Sequence, residues 1–255
     1  MAHVTSADGT PIAYQRDGSG PAVILIGGGL DDGSENAPLA RELAEEFTVY
    51  NFARRGRGDS GDSSPYAVQR EIDDIAAIIA EAGGSAYLFG ASSGGMFALE
   101  AAAAGLPVGR IAVYEVPYDT ADDALQRARE YRAHLSVALV EGRRADAVGL
   151  FMRLAGSSEK DVADAMNAPY WPGLRDLAYS LAYDAALYGP PPSNRLARIT
   201  QPTLVATGGS KDYFEQAADA VAACLADAER QVIDGQRHVV DPKIMAAVLA
   251  RFFRS

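Results

Sequence analysis

The sequence predicts an α/β fold, in which a mostly parallel sheet is covered by helices on both faces. Three observations lead to this prediction: strand-like apolar runs alternate with amphipathic helical stretches, the alternation stops in one central segment, and a Gly-rich turn joins a strand to a helix. Parallel strands need helical crossovers, so alternation of the two element types is the expected pattern. A chain of 255 residues with 48% hydrophobic residues suits one such domain with an inserted subdomain.

The N-terminal part of the chain contains a hairpin and then alternating strands and helices. Asp8-Gly9 supplies a tight turn, so residues 4–16 are predicted to form a β-hairpin. Continuous apolar runs predict buried strands, and the helix that ends at Gly83-Gly84 carries four isoleucines on one face. The predicted strands are residues 22–26, 47–52, 86–89 and 111–114, and the predicted helices are residues 38–46, 66–82 and 96–104.

The alternation stops between Val116 and Ile199, where only helical patterns occur, and it resumes after Pro202. The later elements are a strand at 202–207, a helix from 214, a strand at 230–233 and a helix at 242–253. We therefore expect residues 1–115 and 200–255 to form the core and residues 116–199 to form a helical cap, or lid, over the carboxyl edge of the sheet. This segment is rich in aromatic residues, of which Trp171 and Phe151 are expected to line a pocket.

The stretch Gly90-Ala91-Ser92-Ser93-Gly94-Gly95 joins a predicted strand to an alanine-rich predicted helix. In a G-x-S-x-G turn of this kind the serine has strained backbone angles and an exposed hydroxyl, and the glycines let neighbouring backbone pass closely. The helix start directs N–H groups and positive potential at the space where an oxyanion forms. A plain Gly/Ser-rich loop is the alternative, but the flanking strand and helix favour Ser92 as a nucleophile.

A serine nucleophile needs a base, and the chain has three histidines. His3 lies in the predicted hairpin and His134 in a charged helical stretch. His238 follows the last predicted strand on a short loop, where a base can reach over the serine. We therefore predict His238 as the base.

Two carboxylates compete for the role of orienting the histidine. Asp212 follows the strand at 202–207, and Glu115 directly follows the strand at 111–114, so both are expected at the carboxyl edge. The order Ser92, Asp212, His238 is the chain order of a nucleophile-elbow hydrolase, and it favours Asp212. A helix-capping role is the alternative for Asp212, and Glu115 stays open as the acid.

The three glycines Gly27-Gly28-Gly29 follow a central strand and let the backbone present N–H groups to a ligand. We expect the oxyanion hole to combine the N–H of Gly29 with that of Ser93, while Gly28 and Leu30 remain alternatives for the first donor. A phosphate-binding loop is disfavoured, because the spacing fits no nucleotide motif and acidic residues follow at once.

Charge and composition exclude several other classes. The balance of 23 basic and 34 acidic residues gives a net charge of −11 without a basic stripe, so nucleic acid and anionic membranes are poor partners. The single cysteine, Cys224, cannot form an internal disulfide, and no leader or membrane-spanning run is evident, so a cytoplasmic location is expected. No cluster has metal-ligand spacing, and no cofactor is implied. The expected partner is a small apolar substrate, and a homo-oligomer is left open.

These residues resemble the α/β-hydrolase superfamily over nearly the whole chain, and within it an actinobacterial-type group of capped α/β hydrolases. The resemblance is carried by Arg54–Ser60, Gly90–Gly95, Tyr114–Pro117, Trp171–Leu174 and Asp234–His238. It implies an eight-stranded sheet, a helical lid and cofactor-free hydrolysis of a carboxylic ester.

The chain departs from the family pattern at three places. The usual His-Gly before the oxyanion loop is Gly27-Gly28, and the residue before the nucleophile is Ala91 rather than histidine. In similar proteins the loop around Asp212 often lacks an aspartate, which keeps Glu115 as an alternative acid.

The function expected from the sequence is that of a serine hydrolase acting on an ester, thioester or lactone with an apolar or aromatic acyl part. Serine rather than aspartate at position 92 disfavours dehalogenase and epoxide hydrolase chemistry. Two alternatives remain: the same three residues could provide a base for C–C cleavage, lyase or cyclisation chemistry, or the pocket could bind a ligand without catalysis.

Overall fold

Eight strands form a single sheet in the computed structural model, which describes residues 1–255. The strands are β1 (Ala2–Thr5), β2 (Pro11–Asp17), β3 (Ala22–Ile26), β4 (Thr48–Phe52), β5 (Ala86–Ala91), β6 (Val108–Tyr114), β7 (Thr203–Thr207) and β8 (Ala228–Val232). Their order across the sheet is β1-β2-β4-β3-β5-β6-β7-β8. Only the pairs β1–β2 and β2–β4 are antiparallel. The predicted fold class is confirmed, including the N-terminal hairpin.

Helices cover both faces of this sheet. The α-helices of the chain are α1 (Ala37–Leu43), α2 (Val68–Glu81), α3 (Ser93–Ala103), α4 (Ala124–Val140), α5 (Arg144–Leu154), α6 (Glu159–Met166), α7 (Trp171–Asp176), α8 (Leu181–Ala185), α9 (Ser193–Leu196), α10 (Asp212–Ala222) and α11 (Pro242–Arg254). None of them has both the length and the apolar character needed to cross a membrane.

Every residue of the central strand β3 is apolar, because helices cover both faces of the sheet at this strand. Ile24 and Ile26 belong to the core beneath α2, α3 and α10, whereas Val23 and Leu25 belong to the core beneath α1 and α11. Successive side chains of a strand point to opposite faces, so a strand covered on both sides has no polar position. Its carboxyl end leads directly into Gly27-Gly28-Gly29.

The helices α4–α9 occupy the whole connection between β6 and β7, and no strand interrupts them. We call residues 116–199 the helical insertion. It has a hydrophobic cluster of its own, in which Tyr131, Leu135, Trp171 and Leu181 are buried together. This internal core explains why the strand–helix alternation stops in the sequence.

A buried ionic network joins the helical insertion to the core. Arg54 Nη1 and Arg57 Nη2, from the loop after β4, each donate to one carboxylate oxygen of Asp184 on α8 at 2.7 Å. Arg54 also makes a bidentate pair with Glu71 of α2, at 2.6 and 2.7 Å. All four side chains are almost completely buried, so each charge depends on its partners.

Candidate active site

Ser92 lies at the turn between β5 and α3 with φ 54° and ψ −132°, a strained combination for a residue that carries a side chain. Its N–H donates to the carbonyl of Tyr114 on β6 at 2.8 Å, which fixes the turn to the sheet. A Cβ at Gly90 would overlap the backbone of Gly94, and a Cβ at Gly94 would overlap the carbonyl oxygen of Ile26. The glycines of the motif are therefore required by close backbone contacts.

His238 lies on the loop between β8 and α11 and is held by the carboxylate of the residue that follows β6. Its Nδ1 is 2.7 Å from Oε2 of Glu115, and its ring stacks on Phe214 with centroids 4.9 Å apart. The hydroxyl of Tyr114 donates to the carbonyl of Arg237 at 2.7 Å and so fixes the preceding residue. Because Nδ1 is occupied by the carboxylate, Nε2 is the nitrogen left for proton transfer.

Glu115 is the first residue after β6, and its side chain is only 1% exposed. Its backbone has φ 47°, and its N–H donates to the carbonyl of Ala206 on β7 at 3.0 Å. The second carboxylate oxygen, Oε1, accepts the N–H of Gly208 at 3.1 Å. Both oxygens are thus engaged, and one of them is aimed at the imidazole.

The structure does not bring Asp212 to His238, which corrects our sequence-based preference for that residue. The helix α10 begins at Asp212, two residues earlier than predicted, and places this side chain in its exposed first turn. None of its side-chain oxygens makes a hydrogen bond or ion pair. The competing carboxylate, Glu115, occupies the position for which Asp212 was preferred. The other two histidines are exposed: His3 lies on β1 and His134 on α4.

The glycine loop after β3 lies directly against the serine. A Cβ on Gly28 would be 3.2 Å from the Cβ of Ser92, and the carbonyl of Gly28 accepts a hydrogen bond from Arg57 Nη1. Carbonyl and N–H point in opposite directions across a trans peptide, so the N–H of Gly29 points away from Arg57. Neither that N–H nor the N–H of Ser93 donates to the protein backbone. This arrangement is compatible with the predicted donor pair, Gly29 and Ser93.

A cavity of about 720 Å³ contains both Ser92 and His238 in its wall. The helical insertion supplies much of its lining, including the aromatic side chains of Tyr131, Phe151 and Tyr188. Phe151 therefore lines the pocket as expected. Trp171 does not, because it is only 6% exposed and packs inside the core of the helical insertion. A second, smaller cavity of about 190 Å³ between α1 and α11 contains none of the predicted catalytic residues.

Acidic residues line the cavity near the glycine loop. Burial raises the pKa of Asp31, although the N–H groups of Glu35 and Gly33, which donate to one of its oxygens, oppose the shift. Burial and then the charge of Asp31 raise the pKa of Glu35, while His238 has the opposite effect. No group of three or more His, Cys, Asp or Glu residues is arranged to hold a metal ion.

The chain belongs to the alpha/beta hydrolase family, whose sequence profile matches residues 23–248. The crystal structure of an alpha/beta hydrolase from Sphaerobacter thermophilus DSM 20745 superposes with a TM-score of 0.91 at 45% identity, covering 99% of this chain and all of that one. The family and its named relatives support hydrolase activity for this enzyme.

Two curated relatives match over a shorter stretch. The uncharacterized hydrolase YraK of Bacillus subtilis (strain 168) is 35% identical over 96 residues, which are 36% of this chain and 35% of that protein. The pimeloyl-[acyl-carrier protein] methyl ester esterase of Stenotrophomonas maltophilia (strain R551-3) is 39% identical over 87 residues, 34% of this chain and 32% of that protein. The chain thus aligns with about a third of the length of these curated relatives.

The arginine network is the part of the site that sequence reasoning missed. Arg57 Nη1 donates to the carbonyl of Gly28 in the glycine loop, and Arg54 Nη1 donates to the carbonyl of Gly27 at 3.3 Å. The signal in the sequence was the dense basic stretch after β4. Its partner, Asp184, is well over a hundred residues away along the chain, and no local pattern connects them.

Proposed function

We propose that the protein is a serine hydrolase that cleaves a carboxylic ester, thioester or lactone with an apolar or aromatic acyl part. The observation that supports this most directly is that Ser92, at a strained strand-to-helix turn, lines the same cavity as His238. Nδ1 of this histidine is hydrogen-bonded to the buried carboxylate of Glu115. This is the nucleophile, base and orienting acid of acyl transfer. In the proposal the three residues are Ser92, His238 and Glu115.

The proposed reaction begins when Nε2 of His238 takes the proton of the Ser92 hydroxyl as the oxygen attacks the substrate carbonyl. Glu115 holds the proton on Nδ1 and stabilises the imidazolium that forms. The N–H groups of Gly29 and Ser93 receive the negative charge of the tetrahedral intermediate. The imidazolium then protonates the leaving group, and a water molecule activated by the same histidine releases the acid from the serine.

The helical insertion is proposed to act as a cap that selects the substrate. It lines much of the cavity with aromatic and aliphatic side chains, which favour an apolar acyl or alcohol part. The named esterase among the relatives acts on a methyl ester, and this likeness also favours esters as substrates.

The experiment that tests the proposal is a panel of p-nitrophenyl acyl esters and lactones with Ser92→Ala as the inactive variant. Ser210→Ala is a matched control, since Ser210 is exposed on a loop and does not line the cavity. We expect Ser92→Ala to lose about 10⁴–10⁶-fold in turnover, as for other serine nucleophiles, while Ser210→Ala keeps wild-type activity.

Labelling with a fluorophosphonate separates this proposal from its alternatives. A hydrolase should be labelled at Ser92 and should cleave esters. Labelling without cleavage of any ester, thioester or lactone would favour use of the same residues as a base in C–C cleavage, lyase or cyclisation chemistry. Ester cleavage by Ser92→Ala at the wild-type rate would refute the assignment of the nucleophile.

A further inference from the structure

The glycine loop after β3 consists of Gly27, Gly28 and Gly29, none of which has a side chain that fixes the direction of its peptide groups. Glycine backbone adopts many more conformations than that of other residues. Rotation of the peptide between Gly28 and Gly29 would exchange its two polar groups, so that a carbonyl oxygen would take the place of the proposed N–H donor. Such an oxygen would repel the negative charge of the tetrahedral intermediate. The direction of this peptide must therefore be imposed by other residues.

Arg57, on the loop after β4, holds this peptide through its carbonyl group. Its Nη1 donates to the carbonyl oxygen of Gly28, while Arg54 holds the preceding carbonyl, that of Gly27, at 3.3 Å. The side chain of Arg57 is completely buried, so solvent does not compete for its N–H groups. Hydrogen bonds from an ionised donor are roughly twice as strong as those between neutral groups. The peptide can rotate only if this charged hydrogen bond is broken.

Asp184 fixes the position of the Arg57 guanidinium and places a negative charge beside the same loop. Arg57 Nη2 donates to Oδ2 of Asp184 at 2.7 Å. This oxygen would lie 3.7 Å from a Cβ on Gly29. An uncompensated carboxylate so close to the loop would destabilise an oxyanion, and the positive charge of Arg57 on the same oxygen offsets it. One guanidinium therefore acts both on the direction of the peptide and on the electrostatic potential around Gly29.

We infer that Arg57 is a positioning residue for the oxyanion hole: it holds the peptide between Gly28 and Gly29 with its N–H towards the reacting carbonyl. The inference rests on the proposed ester hydrolysis at Ser92. A positive charge on the carbonyl oxygen also draws electron density from the N–H of the same peptide, which makes this N–H a stronger donor. Because the oxyanion forms only after the serine has attacked, this contribution stabilises the transition state and not the bound substrate.

The substitution Arg57→Met tests the inference with the p-nitrophenyl ester that the wild type cleaves best. We expect kcat to fall at least about tenfold, with the 10²–10³-fold lost on removal of a whole donor as the upper bound. KM should stay close to that of the wild type, because an interaction made only in the transition state is lost.

Hexyl trifluoromethyl ketone gives a second measurement that does not depend on turnover. Oγ of Ser92 adds to its carbonyl carbon, the serine proton passes to His238, and the carbonyl oxygen becomes an oxyanion in the same hole. The dissociation constant of this adduct, followed by fluorine NMR, should rise in Arg57→Met by a factor similar to the fall in kcat.

Arg55→Met is the matched control. Arg55 belongs to the same loop and is equally buried, but it pairs with Asp74 at 2.7 Å and with Asp8 at 2.9 Å and not with the glycine loop. Both variants lose a buried cation, so both should have lower melting temperatures than the wild type. Activity is measured below the lower of the two melting temperatures, where Arg55→Met should keep the wild-type kcat and affinity for the ketone.

Lysine variants replace this pair if Arg57→Met does not fold. Arg57→Lys keeps a positive charge beside Asp184 but lacks the planar fork that directs one N–H at the carboxylate and another at the Gly28 carbonyl. Its kcat should still fall several-fold at nearly unchanged KM, while Arg55→Lys should not lower kcat.

The outcomes separate the two proposals. Equal losses of kcat in the Arg57 and Arg55 variants, or a higher KM at unchanged kcat in the Arg57 variant, would refute the role of Arg57 and leave ester hydrolysis standing. A wild type that neither cleaves an ester nor forms the ketone adduct would refute the proposed function, and the role of Arg57 with it.

Discussion

The assignment of the acid to Glu115 rather than Asp212 leads to the sharpest prediction. We expect Glu115→Gln to reduce ester turnover by about 10⁴-fold, as neutralising the acid does in a comparable triad, which corresponds to about 5 kcal/mol of transition-state stabilisation. Asp212→Asn should keep nearly full activity. The two substitutions make the same chemical change, so each is the control for the other.

The size of the effect follows from the geometry around Glu115. The glutamine oxygen can still accept the N–H of Gly208, now 3.1 Å from Oε1, which leaves the amide nitrogen against Nδ1 of His238 in place of Oε2. An amide N–H is a donor, so Nδ1 must become an acceptor and the ring proton moves to Nε2. In this tautomer the histidine cannot take the proton of Ser92. Asp212 is exposed and unbonded, so its substitution changes no contact of the site.

The assay is kcat and KM for a soluble p-nitrophenyl ester, with melting temperature and circular dichroism measured for each variant. KM should change little for Glu115→Gln, because the lost interaction acts on proton transfer. An inactive Asp212→Asn together with an active Glu115→Gln would refute the reasoning and would mean that the histidine loop rearranges during catalysis.

Further predictions concern the base, the buried network and the cavity wall. His238→Gln should remove most activity and His134→Gln little. The reverse pattern in the two variants would show that the base is misplaced. Asp184→Asn should lower the free energy of unfolding by about 3–5 kcal/mol in denaturant titrations at neutral pH, because two buried arginines lose their shared anion. Burial alone would raise the pKa of Asp184, but the two arginines hold this pKa below its ordinary value. The stabilisation by the ionised Asp184 is therefore present above pH ~3.9 and is lost as the pH falls. The difference in the free energy of unfolding between wild type and Asp184→Asn should narrow below about pH 4, and a difference that does not change with pH would contradict the network's role. Phe151→Ala should lower activity on long acyl chains more than on acetate, by about 1–3 kcal/mol of discrimination in a chain-length series, and equal losses would argue for a purely structural role.

Local signals explain why the strand-to-helix turn at Ser92 and the strands could be predicted. The turn at Ser92 is encoded by six consecutive residues, whose glycines are required by close backbone contacts. Strand β3 is apolar at every position because both of its faces are covered. His238 was found by its place after the last strand. Each of these features can be recognised from residues that lie close together in the sequence.

The acid depended on three-dimensional placement that sequence does not show. Both carboxylates follow parallel strands, β6 and β7, that are neighbours in the sheet, so chain order alone could not decide between them. The decision rests on the early start of α10, which turns Asp212 to solvent, and on the left-handed backbone of Glu115. Trp171 was misplaced for a similar reason: the helical insertion needs a core of its own, and the largest side chain fills it.

The ion pairs of Asp184 also limit how this enzyme can be recombined with its relatives. A chimera would exchange the segment between β6 and β7 as one unit. In this protein that segment carries Asp184, which pairs with Arg54 and Arg57 from the rest of the chain. A foreign segment without a carboxylate at the position of Asp184 would leave Arg57 without its anion and Arg54 with Glu71 as its remaining carboxylate partner. Successful chimeras must therefore keep a carboxylate at that position or transfer α8 and the loop after β4 together.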